Sequence, residues 1–365
     1  MEYFLNEQQK AIKRLARRIA EEKILPVRAE LDEREEFPWA IMKDLASSDM
    51  FRVFIPKEYE GLGGGCLELC LVVEELSRVC SGVAISYAAS ALGSFPLLEY
   101  GTKEQKEKYL PDIASGKRLA AFALTEATAG SDASAIKTTA ERTRGGYILN
   151  GTKQFITNGG EAEIYIVIAL TAKERGARGA SAFLVEKGTP GFSFGKKEKK
   201  MGIRASSTRE LIFRNCLVPE ENMIGREGMG FIMTMRTLDR SRPGGGAQAV
   251  GLAQGALEAA VDYAQQRIQF GRPIISIQAV QHMLADMAIE VEAARLLVYA
   301  AARTIDSGAK NFTEEAAMAK VFASDTAMRV TTNAAQIFGG VGYMRDYPIE
   351  KMMRDAKITQ IYEGA

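Results

Sequence analysis

Gly146-Tyr147-Ile148-Leu149-Asn150-Gly151, Ile164-Tyr165-Ile166-Val167-Ile168-Ala169, Ala182-Phe183-Leu184-Val185 and Leu211-Ile212-Phe213 are the runs that decide the architecture. Each is short, rich in β-branched and aromatic residues, and bounded by turn formers such as Gly188-Thr189-Pro190-Gly191, the pattern of β-strands. They are confined to the stretch from about Arg118 to Gly225. The chain on either side reads as helix, so the order is α, then β, then α. The expected class is α+β. We place an N-terminal α-helical domain at 1–117, a middle β-barrel or sandwich domain at 118–228, and a C-terminal four-helix bundle at 229–365. No βαβ unit and no GxGxxG after a strand occurs, which argues against a Rossmann nucleotide site.

Outward from the strands, helices follow from apolar spacing. After the cap candidate Asn6, Ile12, Leu15, Ile19 and Ile24 recur on one face until Pro26. Trp39 to Ala46, Leu67 to Val79 and Ile85 to Tyr100 follow, with Trp39 expected in the core. Gly101 ends the last of these, and Lys103 to Leu110 is expected to close at Pro111. From about Met229 the chain is helical again, and Ala247 to Gln269, Ile277 to Ile305 and Thr313 to Phe338 predict long helices of an antiparallel bundle.

Composition removes whole classes of chemistry. His282 is the single histidine, so HExxH and multi-histidine metal sites are excluded, and no GxSxG surrounds any serine. Lys plus Arg is 47 against 46 for Asp plus Glu, which gives no support to a nucleic-acid binder. Cys66, Cys70, Cys80 and Cys216 form no zinc or thioredoxin spacing and too sparse a set for a secreted disulfide framework. Reduced, buried thiols are expected. The first residues lack a basic and apolar leader, and no run of 18 apolar residues is found, so membrane insertion is not expected. The lysine-rich run 196–200 reads as a solvated turn face.

Two stretches point to a ligand. Ala123-Leu124-Thr125-Glu126-Ala127-Thr128-Ala129-Gly130-Ser131-Asp132 is a strand end with hydroxyls, then small residues; it is either a plain turn or a place where Gly130 and Ser131 meet an anion. Gln336-Ile337-Phe338-Gly339-Gly340-Val341-Gly342-Tyr343 runs a helix into three glycines, with Asp346, Lys351 and Asp355 after it. A helix C-cap needs one glycine; three within four residues point to close backbone approach to something flat or anionic.

With these two stretches, and with Phe155-Ile156-Thr157-Asn158, the run 201–208, Arg267-Ile268-Gln269-Phe270-Gly271-Arg272-Pro273 and Ile361-Tyr362-Glu363-Gly364, the chain resembles the acyl-CoA dehydrogenase family over nearly its whole length. The resemblance implies FAD lying between the β domain and the bundle. Phe122, Leu124 and Thr125 match positions at the flavin ring; Gly130 and Ser131 match the pyrophosphate site, Ser131 also facing the substrate. Phe155 and Thr157 match the aromatic and hydroxyl positions beside the flavin. Arg267, Phe270, Gln278, Gln336, Gly339 and Gly340 match positions through which a second subunit completes the cofactor site.

The resemblance also implies that Glu363 is the base that takes the α-proton of an acyl-CoA while the β-hydrogen leaves as hydride. Tyr362 and Gly364 flank it on the substrate, and Asp239 and Arg242 match residues at the CoA end. Ser241 stands where a minority of relatives place the base. The small residues Ala88 and Ala91, with Ala89 and Gly93, are expected in the acyl-pocket wall, leaving room for a short, branched or alicyclic group. Val83 stands where glutaryl-CoA enzymes carry arginine, which argues against a dicarboxylate. Implied partners are acyl-CoA and an electron-transferring flavoprotein, the implied assembly a homotetramer built as a dimer of dimers, and the implied place the bacterial cytoplasm, or the mitochondrial matrix for a processed eukaryotic chain. Two alternatives stay open: an acyl-CoA oxidase, and an inactive homologue acting as a binding or assembly subunit. Family members continue with another helix and carry Thr or Ser after Glu-Gly; Ala365 stands there and removes one expected hydroxyl.

Overall fold

A computed structural model describes residues 3–364. The N-terminal helices are α1 (Glu7–Ile19), α2 (Arg28–Arg34), α3 (Trp39–Ser47), α4 (Cys66–Val79), α5 (Ser81–Tyr100) and α6 (Lys103–Ala114). Asn6 caps α1 as its sequence predicts: its side chain accepts from the Gln9 N–H at 2.8 Å, and the Gln9 side chain accepts from the Asn6 N–H at 2.9 Å. Ile12, Ala16 and Ile19 then face the core at helical spacing. Each buried isoleucine contributes about 1.5–3 kcal/mol.

The sheet contains β1 (Ala120–Ala123), β2 (Thr139–Thr143), β3 (Gly146–Thr157), β4 (Ile164–Leu170), β5 (Ala180–Glu186), β6 (Phe192–Lys197), β7 (Thr208–Pro219) and β8 (Met223–Ile224). They join in the order β6-β7-β3-β2-β4-β5-β8, with β1 beside β4. Pairing is mixed: β4 runs parallel to β1 and antiparallel to β5. All seven residues of β4 are buried, as its unbroken apolar run requires.

The C-terminal part has α7 (Gly230–Gln266), the hairpin of β9 (Ile268–Gln269) and β10 (Arg272–Pro273), then α8 (Gln278–Asp306), α9 (Thr313–Phe338) and α10 (Ile349–Thr359). Helix α7 runs against α4, α8 and α9. Glycine makes the α4 crossing: a Cβ on Gly251 would lie 2.1 Å from the Glu74 carbonyl oxygen.

Four expectations are corrected. Helix α7 starts at Gly230 and passes through Pro243 and Gly244–Gly246, but it ends at Gln266, three residues before the expected Gln269, which belongs to β9. Pro243 and these glycines are helix breakers by local propensity, but the helix is held by burial on three sides. Helix α6 likewise runs through Pro111 to Ala114. Trp39 is not core: it is 38% exposed, and its indole N–H donates to Glu161 at 3.1 Å. Helix α5 is long and apolar enough to cross a membrane, against expectation. Its residues are mostly buried within the protein, packed on α4, α7 and β1, as in a core helix. The position Ala365 lies outside the described residues.

Candidate active site

Helix α10 delivers the chain to Glu363. Its own position is set by a buried pair, Lys351 to Asp355 at 2.5 Å, while Asp355 also accepts the Ile203 backbone N–H at 2.5 Å from the loop after β6. Past α10 the chain turns sharply: φ is +55° at Glu363 and +106° at Gly364. A left-handed conformation costs a non-glycine residue roughly 1–2 kcal/mol, so the turn needs outside support. That support comes from α7 and α9. Arg242 Nε donates to the Glu363 carbonyl at 3.1 Å, and Lys320 Nζ donates to the Gly364 carbonyl. The Tyr362 hydroxyl donates to Gln248 of α7, and the Gln360 amide donates to Asp325 of α9 at 2.6 Å. Arg242 is itself oriented by Asp239 at 2.5 Å, whose second oxygen accepts from Thr313 at 2.6 Å. Asp239 and Arg242, expected at the CoA end, are thus committed to the peptide of the candidate base.

The Glu363 carboxylate accepts from the Ser241 hydroxyl at 3.1 Å. Gly245 lies beneath it, where a Cβ would stand 3.3 Å from the same oxygen. Burial pushes the carboxyl above the ordinary carboxylate range; the Ser241 hydrogen bond and the charges of Lys320 and Arg242 oppose that shift.

A cavity of about 150 Å³ opens in front of this group. Ile85, Ala88, Ala89, Leu92 and Phe95 of α5 form one wall, with Leu69 and Leu238 beside them. Phe122, Leu124, Thr125, Phe155, Ile156 and Thr157 form the opposite wall, and Ser241, Gly244, Gly245, Gln248, Tyr362 and Glu363 close it. Glu363 is the charged member of this lining. Ala88 is where the sequence predicts. Ala91 is corrected: it is fully buried in the core and does not line the cavity, because its side of α5 faces inward. Val83 is buried in the same way.

Phe155 owes its place to a bulge. The pairing of β3 with β7 shifts register between Lys153 and Ile156, and Phe155 adopts φ +58°. It is 58% exposed, an aromatic ring turned out of the sheet. Behind it, Lys153 is fully buried and donates to Glu126 at 2.7 Å and to the Leu124 carbonyl at 2.9 Å. Glu126 in turn accepts the backbone N–H of Lys137 and Thr138 at 2.6 and 3.0 Å. Burial holds the Lys153 ammonium down to about 8 against the pull of Glu126. Burial alone would raise Glu126, but Lys153 and these N–H groups keep it below its usual range.

The residues present fit a large flat cofactor. The bulged ring of Phe155 and the Leu124–Thr125 strand end form an apolar wall facing open space. At Gly130, Gly244 and Gly340 a Cβ would meet no neighbouring segment within 4 Å, so tight packing does not call for glycine there, while Gly339 is required by its φ of +64°. The expected cofactor residues nevertheless divide in two. Stacking of Tyr263 on Phe338, with centroids 4.2 Å apart, ties the end of α7 to the end of α9. Arg267, Phe270, Gln336, Gly339 and Gly340 therefore share one end of the bundle, while Ser241 and Lys320 meet Glu363 at the other. At 1.5 Å per residue, the helix between Ser241 and Gln266 separates them by roughly 37 Å. Phe270 is 92% exposed, and Gln278, Gly130 and Ser131 are also exposed. One chain does not bring Arg267, Phe270, Gln336, Gly339 and Gly340 to its own Glu363, whereas Gly130 and Ser131 follow the Leu124–Thr125 strand end that lines its cavity.

Sequence reading missed Lys320, Gln248, Gly244, Gly245 and the Leu69, Leu92, Phe95 and Leu238 part of the lining. Lys320 did leave a signal: it interrupts the buried alanine stripe Ala316, Ala319, Ala323 and Ala327 of α9.

Comparison with known proteins gives one answer along the whole chain. The profiles "Acyl-CoA dehydrogenase, N-terminal domain", "middle domain" and "C-terminal domain" match residues 6–117, 121–216 and 228–365. An acryloyl-CoA reductase (NADH) of Anaerotignum propionicum is 50% identical, covering 100% of this chain and 93% of that protein. The structure of butyryl-CoA dehydrogenase from Megasphaera elsdenii is 48% identical with a TM-score of 0.97, covering 100% and 96%. A chain from a study of the electron transferring flavoprotein of Acidaminococcus fermentans and flavin-based electron bifurcation is 51% identical with a TM-score of 0.98, covering 100% and 96%. This chain belongs to the acyl-CoA dehydrogenase family of FAD-dependent oxidoreductases.

Proposed function

We propose that the protein interconverts a short acyl-CoA and its 2,3-enoyl-CoA, with Glu363 as the base at the α-carbon. The observation that carries this reading is a carboxylate of raised pKa, held by Ser241 against an otherwise uncharged, largely apolar cavity. The thioester α-carbon must face Glu363, since no other lining residue can accept a proton at neutral pH. Burial matches the carboxylate's basicity to a weakly acidic C–H better than solvent exposure would. Ser241 orients it, and Gly245 leaves the space an α-carbon needs. Leu124, Thr125, Phe155 and Thr157 would hold FAD, which would supply the acceptor for the hydride leaving the β-carbon.

Ala88 and Ala89 leave width for the acyl chain, while Leu92, Phe95 and Leu238 limit its length, favouring short or branched groups. The lining holds no cation to meet a second carboxylate, which agrees with exclusion of dicarboxylates. Arg267, Phe270, Gln336, Gly339 and Gly340 serve the cofactor of another copy, which makes a homodimer the smallest complete enzyme and a homotetramer its natural assembly. Electron-transferring flavoprotein is the proposed redox partner, and the bacterial cytoplasm the proposed place. The likeness to an acryloyl-CoA reductase bears on direction only: the same base returns the proton in reverse, and the redox partner decides which way net flux runs.

The test is anaerobic mixing of the yellow holoenzyme with a panel of acyl-CoA thioesters. Butyryl-CoA is expected to bleach the flavin fastest, and glutaryl-CoA at least about tenfold more slowly. Rapid turnover with O₂ alone would mark an oxidase, and a protein that stays colourless with added FAD an inactive homologue. The bleaching rate has a pH profile of known sign. Only deprotonated Glu363 accepts a proton, so the rate should rise with pH to a plateau. Because burial raises its pKa, the midpoint should fall above the ordinary carboxylate range.

A further inference from the structure

Lys320 is a poor choice for its helix on packing grounds. It is 3% exposed in a stripe of alanines where any aliphatic side chain would serve. Burying an ammonium is costly without partners, so the partners identify its purpose. Its Nζ donates to the carbonyl of Gly364, and the Glu363 carboxylate is the charge that most favours its ammonium form. We infer that Lys320 is a positioning residue for the reaction: from α9 it holds the left-handed Glu363–Gly364 turn and sets a buried positive charge against it. This rests on the reading of Glu363 as the base.

The geometry is that of a two-sided clamp. Successive carbonyls of the turn, those of Glu363 and Gly364, are held by Arg242 from α7 and Lys320 from α9. The two cations differ in how far they are already neutralised. Arg242 is paired with Asp239 at 2.5 Å, so much of its charge is met locally. Lys320 has no salt bridge within 4 Å among the described residues, which leaves its field to act on the carboxylate of Glu363. The remaining groups facing this pair are the Ser241 hydroxyl from α7, the Tyr362 phenol beside the turn, and Asp325 one turn along α9, which is occupied by the Gln360 amide. Removing Lys320 therefore loosens the turn and withdraws the least-compensated positive charge near the base.

The two effects separate in a pH profile of anaerobic flavin bleaching by butyryl-CoA, measured on Lys320→Met, Lys320→Gln and Lys320→Arg holoenzymes. In Lys320→Met the bleaching midpoint should move up by about one pH unit, with the rate at neutral pH about tenfold down and recovering in alkali. The half-saturating substrate concentration should stay within about twofold, since Lys320 itself does not line the cavity. Lys320→Arg should restore the parental midpoint. Should Lys320→Met fold poorly, Lys320→Gln carries the test, because its amide still donates to Gly364 without the charge. A midpoint unmoved in both neutral variants overturns the inference, whatever happens to the melting temperature. Parental bleaching by Glu363→Gln would overturn the reading of the base instead, and the two failures are distinct.

Discussion

Glu363→Gln should bind FAD as the parent does and lose bleaching by butyryl-CoA by about 10²–10⁴-fold. The change is isosteric. Glutamine keeps an oxygen to accept the Ser241 hydroxyl, now 3.1 Å from the carboxylate, and its backbone carbonyl still receives Arg242. The turn should therefore survive, and the cavity walls with it. What disappears is the one group in the lining able to take a proton. Ser241 cannot substitute: its hydroxyl is neutral, and in the variant its acceptors are the Leu238 carbonyl, at 3.1 Å, and an amide oxygen, neither of them a base that could activate it. Stopped-flow absorbance under nitrogen gives the rate, and a retained yellow colour after gel filtration shows that FAD binding is intact. A variant that still bleached at the parental rate would remove Glu363 from the mechanism.

The second large effect is on stability. Lys153→Met should lower the folding free energy by about 3–5 kcal/mol, because it leaves Glu126 charged, buried and without its cation. Methionine fills the same volume, so little of that loss is a cavity term. The backbone N–H groups of Lys137 and Thr138 still bond Glu126, which keeps the figure from rising further. The double change Lys153→Met with Glu126→Gln should recover a large part of the loss, since a neutral amide oxygen can still accept from one of those N–H groups. Denaturant titration of the four proteins forms the cycle. Because Lys153 also holds the Leu124 carbonyl, the single variant should release FAD more readily during the titration. Equal stability of Lys153→Met and parent would show the pair to be dispensable.

The parts of the molecule that sequence alone made legible share one property: the information is local. The capping box of Asn6 and Gln9, the alternation into β3, the unbroken apolar β4 and the long stripes of α8 and α9 each follow from a periodicity within one element. Glu363 was singled out through its neighbours in sequence, Ile361, Tyr362 and Gly364, by resemblance, and the structure places it on the cavity wall. The errors are equally regular. Helix α6 through Pro111 and exposed Trp39 are places where packing from distant segments overrode local preference. Helix α5 passes for a membrane span by composition because a core helix and a lipid-facing helix shed water from the same residues.

By itself the sequence determined the α, β, α order, excluded sites that need several histidines, and pointed to Glu363 as the candidate base. Only the tertiary structure decided what surrounds that carboxylate. Ser241, Arg242 and Lys320 lie far from Glu363 in sequence, on two helices, and no spacing rule links them to the turn they support. It also decided that Arg267, Phe270 and Gly339–Gly340 stand at the far end of the bundle, roughly 37 Å along α7 from Ser241. The physical reason is one of range. Periodicity encodes which face of an element leaves water, whereas the pKa and orientation of a buried acid depend on charges and donors that meet only once the elements have packed.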